Sequence, residues 1–199
     1  MRYPPGHKHR THQRILDTAA RLFRKRGYAA TGVDAVMNSA GLTTGGFYAH
    51  FRSKQALLAE ALELAFQRSR DHWRSRLQGR EGPAWVRAHI TSYLSQEHRD
   101  AAEHGCPMPA LGAEIARLSP TSREIFEQHL SRLVAALGSK LNPRSPDATP
   151  AIPAVALCVG GLLLARAVKD RALSNRILDE CRAAALQQIE TTAGLGGTS

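Results

Sequence analysis

The sequence predicts an all-α protein in which a three-helix head, containing a helix-turn-helix, precedes a larger helical body. Apolar residues recur at helical spacing along most of the 199 residues. No alternating apolar pattern of useful length predicts a strand, and breaks rich in Gly and Pro divide the chain into about nine helical segments. A hydrophobic content of 43% is enough for a substantial core.

Residues 1–10 form a basic tail with proline and glycine, which we expect to be mobile. The first predicted helix covers Thr11–Arg26, carries one apolar stripe and ends at Gly27. Its last turn holds three cations, which the helix dipole favours and which are also compatible with positioning DNA. Three histidines of this region lack acidic or cysteine partners, so they predict no metal site. They are His7, His9 and His12.

Residues 31–51 carry the pattern of a helix-turn-helix. Thr31 is placed to cap its first helix, with Asp34 at the acidic position of a capping box. Gly41 follows the helix end, where a left-handed backbone is needed, and Leu42 anchors the turn. The apolar residues of this helix share one face: Val33, Val36, Met37 and Ala40.

The second helix of this motif is predicted over residues 43–50, with Thr43 or Thr44 as its cap. Phe47 and Phe51, one turn apart, are expected to face the core. The outward side chains are small, neutral and hydrogen-bonding, apart from one tyrosine, which suits a helix that reads base edges and phosphates. The alternative is an ordinary helical hairpin whose polar face meets water. The outward residues are Thr43, Thr44, Gly46, Tyr48 and His50.

The N-terminal quarter of the chain carries most of the positive charge. Residues 1–55 contain ten Lys and Arg against two Asp, so they supply +8 of the formal net charge of +10. This asymmetry indicates a polyanionic partner at the head. A membrane surface would require large apolar residues on an exposed basic helix, but here the core accounts for those residues.

A long helix is predicted from its cap, Ser53, to about Leu77. Lys54 lies in the first turn, where a cation opposes the helix dipole. A nearby phosphate explains this choice, because both the lysine and the helix N-terminus would point at it.

The body is expected to contain five further helices. The one over residues 154–170 is apolar on nearly all sides, and Gly160 and Gly161 allow another backbone to come close. Together with the amphipathic helix that follows, it suits a four-helix dimer interface; the alternative is a core helix of a monomer. Residues 142–153 form a loop with four prolines. The helices are predicted over residues 84–98, 107–118, 121–141, 154–170 and 174–191.

Other features narrow the function classes. The three cysteines are far apart and odd in number, with no CxxC or Cys/His spacing, so we expect a reducing compartment and no zinc site. No signal-peptide pattern appears, and the apolar run 154–165 is too short to span a bilayer, which predicts a cytoplasmic protein. No nucleophile elbow, P-loop, dinucleotide or metal-ligand signature is found, so no enzyme, catalytic residue or cofactor is predicted.

An ordered set of short motifs runs through about the first 65 residues. It consists of Arg14-Ile15-Leu16-Asp17-Thr18-Ala19, Leu22-Phe23, Gly27-Tyr28, Thr31-Gly32-Val33-Asp34, Ala40-Gly41-Leu42, Gly45-Gly46-Phe47-Tyr48-Ala49-His50-Phe51 and Ser53-Lys54. This set resembles the TetR/AcrR family of bacterial transcriptional regulators. The resemblance implies an all-α homodimer that occupies a palindromic operator on double-stranded DNA, usually as a repressor, and leaves it when a small molecule binds the body.

By position, the resemblance implies a DNA-binding domain over residues 11–55 and an effector-binding and dimerisation domain over residues 56–195. Tyr48 and Lys54 would contact backbone phosphates, with Thr31 or Gly32 near the phosphate at the start of the first helix of the helix-turn-helix. Many relatives have lysine where this chain has Thr44, which leaves Thr44 to face a base. The implied DNA-binding residues are Thr31, Gly32, Thr43, Thr44, Gly45, Gly46, Phe47, Tyr48, His50 and Lys54.

An effector site is not fixed by spacing, but aromatic and polarizable residues often line apolar pockets. Core packing is the alternative for each candidate. Cys106 precedes Pro107 near a predicted helix N-terminus, a position that favours the thiolate, so electrophile or oxidant sensing is an alternative function. A nonspecific DNA-binding protein is a more remote alternative. The effector candidates are Trp85, His89, Tyr93, Cys106, Met108, Phe126 and His129.

Overall fold

The computed structural model describes residues 6–142 and 151–194, and within these ranges it is helical without any strand. The all-α class is therefore confirmed. Residues 1–5 of the expected tail and 143–150 of the expected loop lie outside the described residues. The elements are α1 (His7–Arg26), α2 (Val33–Ser39), a 3-10 helix (Thr44–Ala49), α3 (Lys54–Arg76), α4 (Gly82–Tyr93), α5 (Gln96–Asp100), α6 (Pro107–Ile115), α7 (Pro120–Leu141), α8 (Ile152–Ala167) and α9 (Arg171–Gly194).

The chain forms two compact units. The head unit comprises the residues up to Ser69 together with Ala102–Phe126, and the body unit comprises Arg70–Ala101 together with the residues from Glu127 onward. The head unit therefore includes α6, which is far along the chain from the helix-turn-helix. The functional boundary after residue 55 stays a prediction.

The core of the head unit is built from the apolar stripes of α1, α2 and α3. Burying each large apolar side chain contributes roughly 1.5–3 kcal/mol, which makes this stripe the main source of stability for the short helices around the turn. The buried positions include Ile15, Ala19, Leu22, Phe23, Val36, Met37, Phe47, Phe51, Leu57, Leu58 and Leu62.

Helix α1 begins at His7, before the predicted start at Thr11, so residues 7–10 of the expected tail are helical. Gly6 adopts a left-handed backbone with φ of 85°, and its carbonyl accepts a hydrogen bond from the Arg10 amide at 3.1 Å. A glycine has no side chain to cap a helix, so the usual capping residues did not signal this start.

The body unit is organised around the pairing of α8 with α9, which α4 also contacts. A Cβ atom added to Gly161 would lie 2.8 Å from the Cys181 Cβ and 3.1 Å from the Leu94 Cδ2. The close helix approach predicted for the two glycines is therefore confirmed at Gly161, whereas an added Cβ at Gly160 meets nothing within 4 Å.

The prediction of one continuous helix over residues 84–98 is wrong. Helix α4 ends at Tyr93, and α5 begins at Gln96 because the Ser95 Oγ caps it by accepting a hydrogen bond from the His98 amide at 3.1 Å. Arg166 of α8 donates to the carbonyls of His98 and Arg99 at 2.6 and 3.0 Å, which satisfies acceptors at the end of α5. These contacts fix His98 within the body unit.

The ends of the remaining helices differ from the predicted ends by a few residues. Helix α6 ends at Ile115 and α7 already begins at Pro120, because proline suits the first turn of a helix. Helix α8 ends at Ala167, and α9 extends at both ends beyond its predicted span.

Candidate nucleic-acid interface and effector cavity

The turn of the helix-turn-helix has the geometry that the sequence predicts. Gly41 adopts a left-handed φ of 66° after α2. The Leu42 amide donates to the Met37 carbonyl at 2.9 Å, and the Gly41 amide donates to the Asn38 carbonyl at 3.0 Å. This pair of hydrogen bonds is a Schellman motif, which fixes the direction in which the chain leaves α2.

The segment after the turn forms a 3-10 helix, Thr44–Ala49, where an α-helix was expected. The Gly46 amide donates to the Thr43 carbonyl at 3.1 Å, and the His50 amide donates to the Phe47 carbonyl at 2.9 Å. Two adjacent glycines cost about 1 kcal/mol each in an α-helix, which favours the short, tighter form. Thr43 occupies the N-cap position, but its hydroxyl makes no capping hydrogen bond, so the predicted cap is wrong.

The predicted outward position is confirmed for Thr43, Thr44 and Tyr48, whereas Gly46 and His50 are half-buried. Phe47 and Phe51 are 0% and 3% exposed and stack on each other with ring centroids 5.7 Å apart. Tyr48 is 74% exposed, and Thr43 and Thr44 are also exposed. Phe47 therefore supports the surface from below, while the side chains of Thr43, Thr44 and Tyr48 are exposed.

Thr31 does not cap α2. Its side chain is fully buried, and its hydroxyl donates to the Gly27 carbonyl at 2.7 Å. The N-cap is instead Gly32, which has extended backbone and makes no side-chain hydrogen bond. Because the Thr31 hydroxyl closes the turn after α1, the exposed Gly32 backbone is the part of this segment that a phosphate can approach.

Lys54 lies at the start of α3 and is held by an aromatic ring. Its Nζ lies 4.2 Å from the centroid of the Tyr28 ring, a cation–π contact. Burial lowers the pKa of Lys54, and the charge of Glu114 opposes that effect. The predicted cap of α3 is confirmed, because the Ser53 Oγ accepts a hydrogen bond from the Ala56 amide at 3.0 Å.

Glu114 of α6 is a residue that sequence reasoning missed. Its two carboxylate oxygens accept hydrogen bonds from the amides of Tyr28 and Ala29 at 3.0 and 2.7 Å. Gly27 has a φ of 86°, and a Cβ added there would lie 2.6 Å from the Glu114 Oε1. Glu114 thus fixes the turn that carries the Tyr28 ring beneath Lys54. No local pattern connects residues so distant in sequence.

Arg24 and Lys25 in the last turn of α1 bind Glu103, as does Arg21 one turn earlier, whereas Arg26 is exposed. Arg24 is 6% exposed and donates to the Glu103 carbonyl through Nε and Nη2 at 2.9 and 2.6 Å. Lys25 and Arg21 lie 3.2 and 3.5 Å from the Glu103 carboxylate. Burial, followed by the charge of Arg68, lowers the pKa of Arg24 to about 10, so the guanidinium stays charged at neutral pH.

His50 is half-buried, with its Nδ1 inaccessible to solvent and without a hydrogen-bond partner. Burial lowers its pKa, and the nearby positive groups of His12, Lys8 and His7 act in the same direction. His12 stacks on Phe51 at 4.4 Å. A neutral His50 can therefore contribute a hydrogen bond but no charge to this surface.

The seven effector candidates are divided between the two units. Cys106, Met108 and Phe126 belong to the head unit, where Cys106 and Met108 are 5% and 3% exposed. Cys106 occupies the N-cap position of α6. The other four belong to the body unit: Trp85, His89, Tyr93 and His129.

The body unit contains a cluster of aromatic rings around His89. Trp85 stacks on the imidazole at 5.1 Å with an interplanar angle of 7°, and Trp73 approaches it edge-on at 4.8 Å. His98 lies edge-on to Tyr93 at 4.6 Å and bonds to the Tyr93 carbonyl at 2.8 Å. Burial lowers the pKa of both His89 and His98 to about 4, so both imidazoles are neutral at pH 7.

A cavity, which we term the His89 cavity, lies beside this cluster. The space inside it that a water molecule can reach is about 10 Å³, roughly the room that one water molecule needs. Among the predicted effector residues, His89 and Tyr93 line it, whereas His129 instead lies with its Nδ1 2.6 Å from the Arg70 Nη1. The lining residues are His89, Ile90, Tyr93, Leu133, Leu137, Ala154, Val155, Cys158 and Val159.

The described residues contain no group of three or more His, Cys, Asp or Glu side chains placed to hold a metal ion. In the same part of the chain, no helix combines the length and the hydropathy that crossing a membrane requires.

Comparison with known proteins places this helix-turn-helix within one group of regulators. Residues 15–61 match the family model described as bacterial regulatory proteins, tetR family. The HTH-type transcriptional repressor NemR of Escherichia coli K12 is 28% identical over 138 residues, which cover 67% of this chain and 68% of NemR. The HTH-type regulator YerO of Bacillus subtilis is 47% identical over 51 residues, but the match spans only 18% of its length.

Solved structures share the same fold across both units. The crystal structure of reduced E. coli NemR has a TM-score of 0.74 and 24% identity, covering 89% of this chain and 95% of that one. A TetR transcriptional regulator from Chloroflexus aurantiacus has a TM-score of 0.78 and 22% identity, covering 92% and 96%.

The protein is thus a DNA-binding transcriptional regulator with an N-terminal helix-turn-helix, and it is not an enzyme. The head of the chain is that of the TetR family of bacterial regulators, which residues 15–61 match. Regulators of this family bind DNA and function as dimers.

Proposed function

We propose that this protein is a cytoplasmic repressor that occupies a palindromic operator as a homodimer and leaves it when a small molecule binds the body. The observation that carries the DNA-binding part is the outward surface of the 3-10 helix, with Tyr48 74% exposed above two buried phenylalanines. The similarity to NemR, a named repressor, supports repression rather than activation.

In this proposal, Thr43, Thr44 and Gly46 approach base edges in the major groove, with Gly45 and His50 beside them. Tyr48, Lys54 and the Gly32 backbone contact phosphates, while Phe47 and Thr31 hold the surface from within. Because phosphate contacts dominate affinity, binding should weaken steeply with added salt. The two recognition helices of a dimer would enter successive major grooves, roughly 34 Å apart.

The dimer is proposed to form through α8 and α9, in line with the exposed apolar side chains on these helices. Ile152 and Leu164 are 50% and 52% exposed, and Leu163 and Leu173 are each 38% exposed. Large apolar side chains exposed on one pair of helices are expected at an interaction site. Leu164→Glu should therefore shift the protein to monomer in sedimentation experiments, whereas Ala113→Glu, on the exposed part of α6, should leave the dimer intact. A dimer that tolerates Leu164→Glu would refute this interface.

The effector is proposed to bind at the His89 cavity, which would have to widen to admit it, and to lower operator affinity. A coupling free energy of about 1–3 kcal/mol, or roughly 5- to 150-fold in affinity, is typical of such allostery. The cavity supports this role because it combines an apolar lining with two polar groups, His89 and Tyr93.

Footprinting on DNA selected from a random pool tests the proposal. A specific dimeric repressor protects one two-fold symmetric site, and a screen of compounds then identifies one that removes the protection. Uniform protection without a preferred site would instead support nonspecific DNA binding and refute the proposed operator.

A second candidate, within the same family, is a thiol sensor at Cys106. It is favoured by the position of Cys106 at the N-terminus of α6 and by its electrostatic interaction with the buried Arg24 guanidinium, both of which stabilise a thiolate. The measurement is the release of operator DNA by an electrophile such as a maleimide. If Cys106→Ser leaves that release unchanged, the sensor function is excluded.

A further inference from the structure

The first turn of α1 carries a set of basic side chains that belong to the head unit. We term residues 7–10 the α1 basic turn. Lys8, His9 and Arg10 are exposed, and no Asp or Glu occurs between Gly6 and Leu16. Because residues 7–10 are part of α1, the helix fixes the backbone positions from which these side chains extend.

The two ends of α1 differ in how their cations are neutralised. Towards the C-terminal end, Arg21 and Lys25 lie 3.5 and 3.2 Å from the Glu103 carboxylate. Within residues 6–142 and 151–194, by contrast, neither Lys8 nor Arg10 forms an ion pair with a carboxylate. A cation in the first turn opposes the helix dipole, so these two charges do not stabilise α1. Exposed cations in this unfavourable position suit a polyanionic partner.

The α1 basic turn is continuous with the end of the 3-10 helix. His12, one turn after Lys8 on the same face of α1, stacks on Phe51 at 4.4 Å, and its ring centroid lies 6.2 Å from that of His50. Burial and the charge of His12 lower the pKa of His50, and the charges of Lys8 and His7 act in the same direction, which places both near that ring. Lys8 therefore lies next to the proposed DNA-binding surface.

Contacts with α3 hold this part of α1 in place. The His12 Nε2 lies 2.8 Å from the Glu60 Oε2, and the Arg68 Nη2 donates to the Asp17 Oδ1 at 2.6 Å. Helix α3 also carries Lys54 in its first turn, so the α1 basic turn and Lys54 are positioned by the same helix. Groups that are held in place before binding lose less conformational entropy when they meet a ligand.

Arg10 extends towards the beginning of α1. Its Nη1 would lie 3.5 Å from a Cβ atom added to Gly6, so the guanidinium lies back over the residue that precedes the helix. The Arg10 amide anchors the same turn by donating to the Gly6 carbonyl at 3.1 Å. A planar guanidinium with several N–H donors matches the geometry of phosphate oxygens.

We propose that the α1 basic turn extends the DNA-binding surface, with Lys8 and Arg10 contacting phosphates beside the bases that the 3-10 helix reads. The partner is the sugar–phosphate backbone of double-stranded DNA, because the turn has the complementary charge and is continuous with the recognition surface. This assignment rests on the proposed function, since it adds contacts to the same operator complex.

The test measures operator binding of the full chain at increasing salt concentration. Each phosphate contact contributes about 0.9 to the slope of log affinity against log salt, and a dimer contains each residue twice. Lys8→Ala and Arg10→Ala should therefore each reduce the magnitude of the slope by about 1.8. The affinity lost in each variant should correspondingly shrink by about tenfold between about 50 and 200 mM salt.

The matched control is Arg132→Ala, which removes one exposed cation from α7 in the body unit and should leave the slope unchanged. Because a phosphate contact carries no sequence information, Lys8→Ala should weaken binding by the same factor on the operator and on an operator with one base pair changed. The melting temperature of Lys8→Ala and of Arg10→Ala should be at least that of the unaltered protein, because the removed cations oppose the helix dipole.

An unchanged salt slope in Lys8→Ala or in Arg10→Ala would overturn the assignment of that residue. An equal decrease in Arg132→Ala would overturn both, because the effect would then follow from net charge alone. A loss of affinity confined to the unchanged operator would refute a phosphate contact, because the residue would then read bases.

Tyr48→Phe separates this surface from the proposed function. If Tyr48→Phe weakens operator binding while Lys8→Ala and Arg10→Ala do not, the proposed operator complex stands and the α1 surface is refuted. If the protein has no symmetric operator, the slopes measured on a random duplex still decide the α1 contacts, since phosphate contacts do not depend on base sequence.

Discussion

The proposed DNA-binding surface and the His89 cavity are built in opposite ways. The first lies mostly in one short stretch, residues 43–54, where Thr43, Thr44 and Tyr48 are exposed on a positively charged head. The second is assembled from α4, α7 and α8, is buried, and has no charged lining. If the proposal holds, the first site acts through accessible hydroxyl groups and long-range charge, and the second through the cost of removing polar groups from water. Residues that are neighbours in sequence can specify only a site of the first kind, which is built from a single segment.

Acidification should have the largest effect, and it should act on the body unit. Burial lowers the folded-state pKa of His89 and His98 from 6.5 to about 4, so the unfolded chain takes up protons first. The stabilisation is complete above pH 6.5 and is lost as the pH falls towards 4, by up to about 3 kcal/mol per histidine.

Denaturant unfolding at pH 7, 6 and 5 measures this loss, in a window where most carboxylates stay ionised. His89→Phe should show a smaller decrease than the unaltered protein. A free energy of unfolding that is constant across this window would contradict burial of neutral imidazoles.

The next largest effect is expected in the head unit, at Glu114. Glu114→Ala removes two charge-assisted hydrogen bonds to the turn after α1, which should cost about 2–3 kcal/mol of stability. Because the same turn positions Tyr28 beneath Lys54, operator affinity should also fall, by roughly tenfold. Thermal unfolding and titration of operator DNA measure both. Glu124→Ala, at an exposed position of α7, is the matched control, and equal behaviour of the two variants would exclude a positioning role for Glu114.

Two neighbouring glycines of α8 test how closely α8 and α9 pack in the body unit. Gly161→Ala should destabilise the protein by about 1–3 kcal/mol, because the new Cβ would lie 2.8 Å from the Cys181 Cβ. Gly160→Ala meets nothing within 4 Å and should be neutral or stabilise α8 by up to about 1 kcal/mol. Chemical denaturation of both variants decides the point, and equal destabilisation would mean that α8 and α9 do not approach as described.

The smallest effect is expected on the DNA-binding surface itself. Tyr48→Phe removes one exposed hydroxyl group, so operator affinity should fall by about fivefold while the melting temperature stays unchanged. Fluorescence anisotropy with labelled operator DNA measures this difference. Operator binding equal to that of the unaltered protein would remove Tyr48 from the proposed phosphate contacts.

Much of the head unit could be predicted because its signals are local. Gly41 needs a left-handed backbone, Phe47 and Phe51 need a core, and Ser53 caps the helix that follows within three residues. Each of these requirements is met by neighbours in sequence. The predicted role of Thr31 is wrong because its hydroxyl group had two local partners within reach. It donates to the Gly27 carbonyl, which precedes it in the chain, instead of capping α2, which follows it.

The sequence by itself therefore determined the helical class, the helix-turn-helix, the family and the charged head, since periodicity, turn chemistry and charge are properties of short segments. Only the tertiary structure decided that Glu114 fixes the turn beneath Lys54, that Ser95 divides α4 from α5, and that His89 is left unsatisfied beside a cavity. The contacts of Glu114 and the surroundings of His89 depend on which side chains meet across long sequence separations, and so does the bond of Arg166 to the end of α5, although the Ser95 cap itself is local. Packing of the folded chain, rather than local conformational preference, determines those long-range contacts.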